Sequence, residues 1–166
     1  MTPPKPLRAA DVAAQSGSSY PEPFRSRMGN AEWRALGDAF GLTQYGVNLE
    51  TLQPGAQSAL RHWHTLSDEF VYVLEGELVL RTNEDETTMT SGVFVGFKAG
   101  ERNGHHFVNR SDRPARFLVI GTRVPGDVAF YPDDDLHWFR NEDGRYPAHK
   151  DGSPYRLPGG EPPGGA

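Results

Sequence analysis

From Gln44 onward, apolar residues either alternate with polar ones or gather in short runs closed by Gly, Asn, Asp or Pro, the pattern of short β-strands joined by turns. In QYGVNLETL, Tyr45, Val47 and Leu49 alternate with polar neighbours as a half-buried strand would, and QPG at Gln53–Gly55 is a turn signal. SALRHWH then leads through Thr65–Asp68 into EFVYVLEGELVLRT, where Glu75-Gly76 marks a tight turn between two strands. NEDE turns the chain again before TTMTSGVFVGF, and KAGERNG reads as a loop. HHFVNRSDRPARFLVIGTR reads as two further strands about a turn at Asn109–Pro114. About seven or eight short strands therefore fall between residues 44 and 123, the density of an all-β sandwich or barrel. Neither the strand–helix alternation of a parallel sheet nor an internal repeat is present.

Outside this block the pattern weakens. NAEWRALGDAF fits a short helix with Asn30 as N-cap and Trp33, Leu36 and Phe40 on one face. Gly37 weakens that helix and leaves an extended segment as the alternative. MTPPKP and LPGGEPPGGA have almost nothing to bury and are expected to be loose. The chain thus divides into an N-terminal arm (1–43), a β-barrel (44–123), a C-terminal extension (124–157) and a disordered tail (158–166).

The net charge of −5, with no dense Lys/Arg run, argues against a nucleic-acid or anionic-membrane surface. With no cysteine, disulfides and thiolate metal sites are excluded. Apolar runs as short as Phe117–Ile120 cannot span a bilayer, and the N-terminus carries no signal-like apolar region, so a cytoplasmic protein is expected.

The candidate chemistry sits in RHWHTLSDEF. Side chains two apart on a strand share a face, about 6.6–6.8 Å apart along the backbone. His62 and His64 therefore point one way and Trp63 the other. If the turn at Thr65–Asp68 makes a hairpin, Glu69 folds back beside them, and two imidazoles and a carboxylate can converge on one cation. The same parity sets Val71 and Val73 below Glu69 as an apolar wall. A fourth donor would come from His105 or His106, only one of which can face inward.

These residues resemble the two motifs of the cupins. The first has the form G-X5-H-X-H-X3-4-E-X6-G, against which the chain reads Gly55, six residues, His62-Trp63-His64, four residues, Glu69, six residues, Gly76. The second has the form G-X5-P-X-G-X2-H-X3-N, matched by Gly92, five residues, Lys98-Ala99-Gly100, four residues, His105, three residues, Asn109. The departures are one extra residue before His62, Lys98 in place of proline, and two extra residues before His105. All fall in turns, where insertions are tolerated. The resemblance implies a double-stranded β-helix, or jelly-roll, barrel. It also implies one divalent transition metal (Fe, Mn, Ni, Co or Zn) held by His62, His64, Glu69 and His105, the H-X3-N frame selecting His105 over His106. The C-terminal extension is similar to one found in small bacterial single-domain cupins. Homodimerisation is a further implication, with Tyr20–Gln44 as the candidate interface.

The leading expectation is an enzyme acting on a small oxygenated metabolite by isomerase, lyase or decarboxylase, or dioxygenase chemistry. Glu69 would double as ligand and proton carrier. The competing expectation is a non-catalytic binding or sensory barrel, since the fold hosts both. An enzyme should place an ionisable side chain beside the metal, and the inward residues assignable from parity (Val71, Val73, Phe107) are apolar. Of the rest, Arg61 is expected at the surface, Trp63 and Tyr72 face away from the cluster, and Asn109 is a turn residue. Asp135 is expected to cap LHWF, and His137 and His149 lie in loops.

Overall fold

The computed structural model describes residues 4–142 and 144–155. In chain order the strands are β1 (Gln15–Ser16), β2 (Ala31–Ala35), β3 (Tyr45–Leu52), β4 (Trp63–His64), β5 (Glu69–Glu75), β6 (Glu77–Arg81) and β7 (Glu86–Thr90). They continue with β8 (Phe94–Phe97), β9 (His106–Val108), β10 (Ala115–Thr122), β11 (Ala129–Phe130), β12 (His137–Asn141) and β13 (Gly144–Ala148). Eight of them, β3 to β10, lie in the block read from the alternation. The described residues contain no α-helix, only three short 3-10 turns. NAEWRALGDAF resolves as β2 followed by one such turn at Asp38–Phe40, so the extended alternative holds there.

The large sheet has the order β1-β2-β3-β10-β5-β8, with every pairing antiparallel. Opposite it lies a three-stranded sheet, β7-β6-β9, carried on toward β4 and β11 by the bridges Gln57–Val108 and His62–His105. The facing sides enclose a core of Leu52, Val71, Val73, Leu78, Leu80, Met89, Phe107, Ala115 and Phe117, almost all shut off from solvent. This is the jelly-roll arrangement. A second cluster of Phe24, Met28, Leu60, Ala129, Tyr131, Leu136 and Tyr155 binds the arm and the C-terminal extension to the segment that enters β4. The arm does not stand apart from the barrel, because β1 and β2 extend the large sheet. The loose tail expected over residues 158–166 lies outside the described residues.

Consecutive strands mostly change sheet, and this corrects the hairpin expected at Thr65–Asp68. β4 pairs with β11 and β5 pairs with β10 and β8, so His64 and Glu69 are not hairpin neighbours. They meet because the turn carries the chain from one sheet to the other. Gly76 does the same between β5 and β6: its φ is +79°, and a Cβ there would come 2.7 Å from the Pro114 carbonyl oxygen. Only glycine fits that corner.

The alternation in β3 is present and Leu49 is buried, but the face that looks into the barrel is the other one. Val47 and Leu49 share the outer face with Leu118, Tyr72 and Phe94, whereas Asn48, Glu50 and Leu52 share the inner face with Val119, Phe117 and Ala115. Two polar side chains therefore point into the barrel.

Other expectations change for local reasons. Arg61 is buried rather than at the surface. Its guanidinium donates to both Asp133 oxygens at 2.6 and 2.7 Å, to the Gly104 carbonyl and to Asn83 Oδ1, bracing the extension against the β9 loop. Asp135 does not cap LHWF, which is strand β12. It accepts from the Lys150 amide and from His149 at the base of the β12–β13 hairpin. Asn109 is a turn residue and fully buried, its amide donating to the Leu52 and Arg113 carbonyls.

Candidate metal centre

Three of the four expected side chains come together. Donor atoms of His62, Glu69 and His105 all lie within 4.8 Å of one another. They arrive from three places: the segment entering β4, the start of β5, and the residue before β9, which is bridged across the sheet gap to His62. His64 stands beside them, its ring 5.0 Å from that of His62, just outside the tight group. His106 does not take part. It points to the opposite side of its strand, with Nδ1 against the Ala59 carbonyl at 3.0 Å. His137 and His149 are also absent from the group.

The imidazoles are held in defined orientations. His62 Nδ1 donates to the Leu60 carbonyl at 2.8 Å, and His64 Nδ1 donates to Asp127 Oδ2 at 2.6 Å. In each ring Nδ1 is engaged and Nε2 is left as the free nitrogen, the arrangement that metal-ligating histidines adopt. Burial lowers the His62 pKa to about 4, opposed by the charge of Glu69, so the ring is neutral at pH 7. His105 Nε2 donates to Glu69 Oε1 at 3.2 Å, while its Nδ1 is buried without a partner among the described residues. Phe97 stacks flat on the same ring at 3.4 Å and fixes its plane. Burial alone would raise the Glu69 carboxyl, but the His105 bond and the neighbouring imidazoles outweigh it and hold the group below its usual range. A neutral imidazole at His62, two further imidazoles beside it and an ionised carboxylate are donor groups suited to a divalent transition metal. By that chemistry the residues fit such an ion.

Several neighbours escaped the sequence reading. Asp127 holds His64 with one oxygen and the turn to β5 with the other, which accepts from the Leu66 and Ser67 amides and from Thr65 Oγ1. These bonds keep its carboxyl at about 2 against the opposing effect of burial. No local pattern in VPGD signals that role, since the partner lies 63 residues away. Tyr131, delivered by the C-terminal extension, packs with its ring 5.8 Å from that of His62. A cavity of about 230 Å³ opens over the group, lined by His64, Glu69, Asp127, Asn48 and Arg123. A wider apolar groove of about 540 Å³, lined by Tyr45, Phe70, Phe97 and Ile120, runs over the strand ends and contains none of the three imidazoles.

The family model for the cupin domain matches residues 48–121. A solved structure of a sugar phosphate isomerase of the cupin superfamily from Silicibacter pomeroyi superposes with a TM-score of 0.85. It is 46% identical and covers 92% of this chain and 97% of its own. The tetracenomycin polyketide synthase protein TcmJ of Streptomyces glaucescens is 30% identical over 107 residues, 64% of this chain and 70% of that protein. The polyketide cyclase RemF of Streptomyces resistomycificus shares the fold at a TM-score of 0.61 with 22% identity, over 84% of this chain and 88% of its own. Among the described residues no helix is long and apolar enough to cross a membrane.

Proposed function

The chain belongs to the cupin superfamily, and from that premise we propose that its barrel is a metal-dependent enzyme acting on a small oxygenated metabolite, with aldose–ketose isomerisation of a sugar phosphate as the specific reaction. The observation that carries this reading is the convergence of His62, Glu69 and His105, with His64 alongside and two of the imidazoles pre-oriented through Nδ1. The similarity to a sugar phosphate isomerase over nearly the whole chain supports the choice of substrate.

His62, His64, Glu69 and His105 would hold one divalent transition ion (Fe, Mn, Ni, Co or Zn). Bound there, such an ion polarises a carbonyl or hydroxyl oxygen. The protein's own part is to orient the rings, to exclude water with the Val71–Val73–Phe117 floor, and to move a proton. Glu69, already hydrogen-bonded to His105, is the carboxylate placed to accept and return one. Pairing of two copies belongs to the same proposal. Tyr20 and Phe24 are engaged in the second core, so the surfaces for it are the later part of Tyr20–Gln44, where Phe40 is exposed, and the outer face of the large sheet, where Phe70, Leu74 and Phe94 are exposed. A monomer by light scattering would remove that part.

The test has two arms. Metal content of the tag-free protein, measured by plasma mass spectrometry, should be about one transition ion per chain and should be lost in a His62→Ala/His64→Ala variant. Incubation of the metal-loaded protein with pentose and hexose phosphates in D2O should place deuterium at the carbon beside the carbonyl. Metal binding without any exchange would leave the competing reading, a non-catalytic binding or sensory cupin. No metal in either protein, even after reconstitution, would sink the metalloenzyme reading.

A further inference from the structure

Strand β3 carries two polar side chains into the barrel that the protein itself leaves unused. Asn48 and Glu50 lie on the inner face of the strand, Glu50 opposite Phe117 on one side and Trp33 on the other. Neither side chain hydrogen-bonds to any other described residue. Both line a cavity of about 260 Å³ whose walls include Tyr20, Trp33, Gln57 and Ser58. The Gln57 amide meets only the Met28 sulfur there, at 3.9 Å. Asn48 also lines the cavity that holds His64 and Glu69, so the two spaces adjoin at this residue.

Polar groups turned into a barrel normally find protein partners, and those that do not are kept for something else. A core role is poorly served by a carboxyl group with no donor facing it, because an apolar side chain would fill the position better. Amide, carboxyl and hydroxyl groups lining one cavity together with two aromatic rings form a pocket suited to a small polyhydroxylated molecule. The polar groups take its hydroxyls and the rings take its C–H faces.

We propose that Glu50 and Asn48 are substrate-contacting residues that hold the hydroxyl groups of a polyhydroxylated substrate in the chamber adjoining the candidate metal centre. The raised pKa of Glu50, about 8 through burial and then the nearby Glu69 charge, is in keeping with a side chain enclosed in that chamber. The proposal deepens the reading given under Proposed function and rests on it for the sugar phosphate as probe.

Its test uses the full, metal-loaded chain and the variants Glu50→Gln, Glu50→Leu and Asn48→Ala. Metal content and melting temperature are measured first, then binding of a panel of sugar phosphates and free polyols by calorimetry, and finally proton exchange in D2O. Glu50→Gln should keep the wild-type metal content and melt at or above the wild-type temperature, while binding at least tenfold more weakly. Asn48→Ala should weaken the same ligand, and Glu50→Leu should abolish its binding with the fold intact. A wild-type protein that binds a sugar phosphate or polyol without exchanging a proton would defeat the isomerase reading. The present inference would stand if the variants lose that binding. Variants that bind within twofold of wild type would overturn the inference while leaving the isomerase intact. A wild-type protein that binds neither sugar phosphates nor polyols would overturn it as well.

Discussion

Asp127 offers a clean way to ask whether His64 works with the other three side chains. Its Oδ2 accepts from His64 Nδ1, and its Oδ1 accepts from the Leu66 amide at 2.8 Å, the Ser67 amide at 3.2 Å and Thr65 Oγ1 at 3.2 Å. In Asp127→Asn the amide oxygen can keep the second set, which leaves an NH2 facing Nδ1. Donor then meets donor, and the ring is driven to the tautomer with its proton on Nε2, the nitrogen a metal would need. Loss of such an orienting carboxylate costs roughly 10- to 100-fold in metal affinity, about 1.4–2.7 kcal/mol. For a domain of this size, with metal in excess, the metal-induced rise in Tm should shrink by roughly 3–11 °C. The metal-free protein should change little, because the turn keeps its bonds. Asp127→Ala strips the turn as well and should add about 1–3 kcal/mol of destabilisation with or without metal. The assay is competition with a chelating dye, alongside calorimetric melts of apo and loaded protein. Asp127→Asn binding metal within a factor of two of wild type would refute the reasoning and take His64 out of the ligand set.

Four other perturbations follow from the same geometry. His105→Gln should abolish metal retention, whereas His106→Gln should keep it and cost only the bond to the Ala59 carbonyl; equal metal content in the two variants would undo the assignment. Arg61→Ala should destabilise the metal-free protein by about 2–3 kcal/mol, the upper end being discounted because Asp133 is 40% exposed, and an unchanged melt would make the fork incidental. Gly76→Ala should cost about 1–3 kcal/mol from its left-handed backbone alone, with more from the 2.7 Å approach to Pro114 seen as a lowered denaturation midpoint. Glu50 has a folded pKa of about 8 against an ordinary 4.5, so the folded metal-free protein binds the extra proton. Its stability should therefore fall as pH rises from about 4.5 to 8, by a total on the order of a few kcal/mol. Urea titrations across that range should find the slope reduced in Glu50→Gln, and a persisting slope would place the titration elsewhere.

How much of this was legible in the sequence depends on whether a feature is local. Strand positions were legible because alternation and turn residues are properties of neighbours, and the eight strands from β3 to β10 fall where the pattern puts them. The meeting of His62 with Glu69 was legible as a juxtaposition but not as a mechanism. A hairpin and a change of sheet both return the chain toward its start, and only the pairing of β4 with β11 separates them. Arg61 and Asp127 were out of reach for a plainer reason: their partners lie 72 and 63 residues away, and an arginine beside an outward tryptophan looks like surface until the extension folds over it.

The faces of β3 are the more instructive case, since period two reports that faces differ and not which one looks into the barrel. The usual rule, apolar inward, gives way where the barrel interior adjoins a cavity, as it does at Asn48 and Glu50. β3 and β5 both run antiparallel to β10, hence in the same direction as each other. Their inward positions read Asn48, Glu50, Leu52 and Glu69, Val71, Val73, each passing from polar to apolar toward the common core. The gradient is present in both strands, but on β3 the polar stretch reaches deeper than on β5. Through β10, Glu69 lies level with Gly46, whereas Asn48 lies level with Val71 and Glu50 with Val73, so Glu50 is an inward residue set deeper in the barrel than Glu69 rather than a misplaced surface charge.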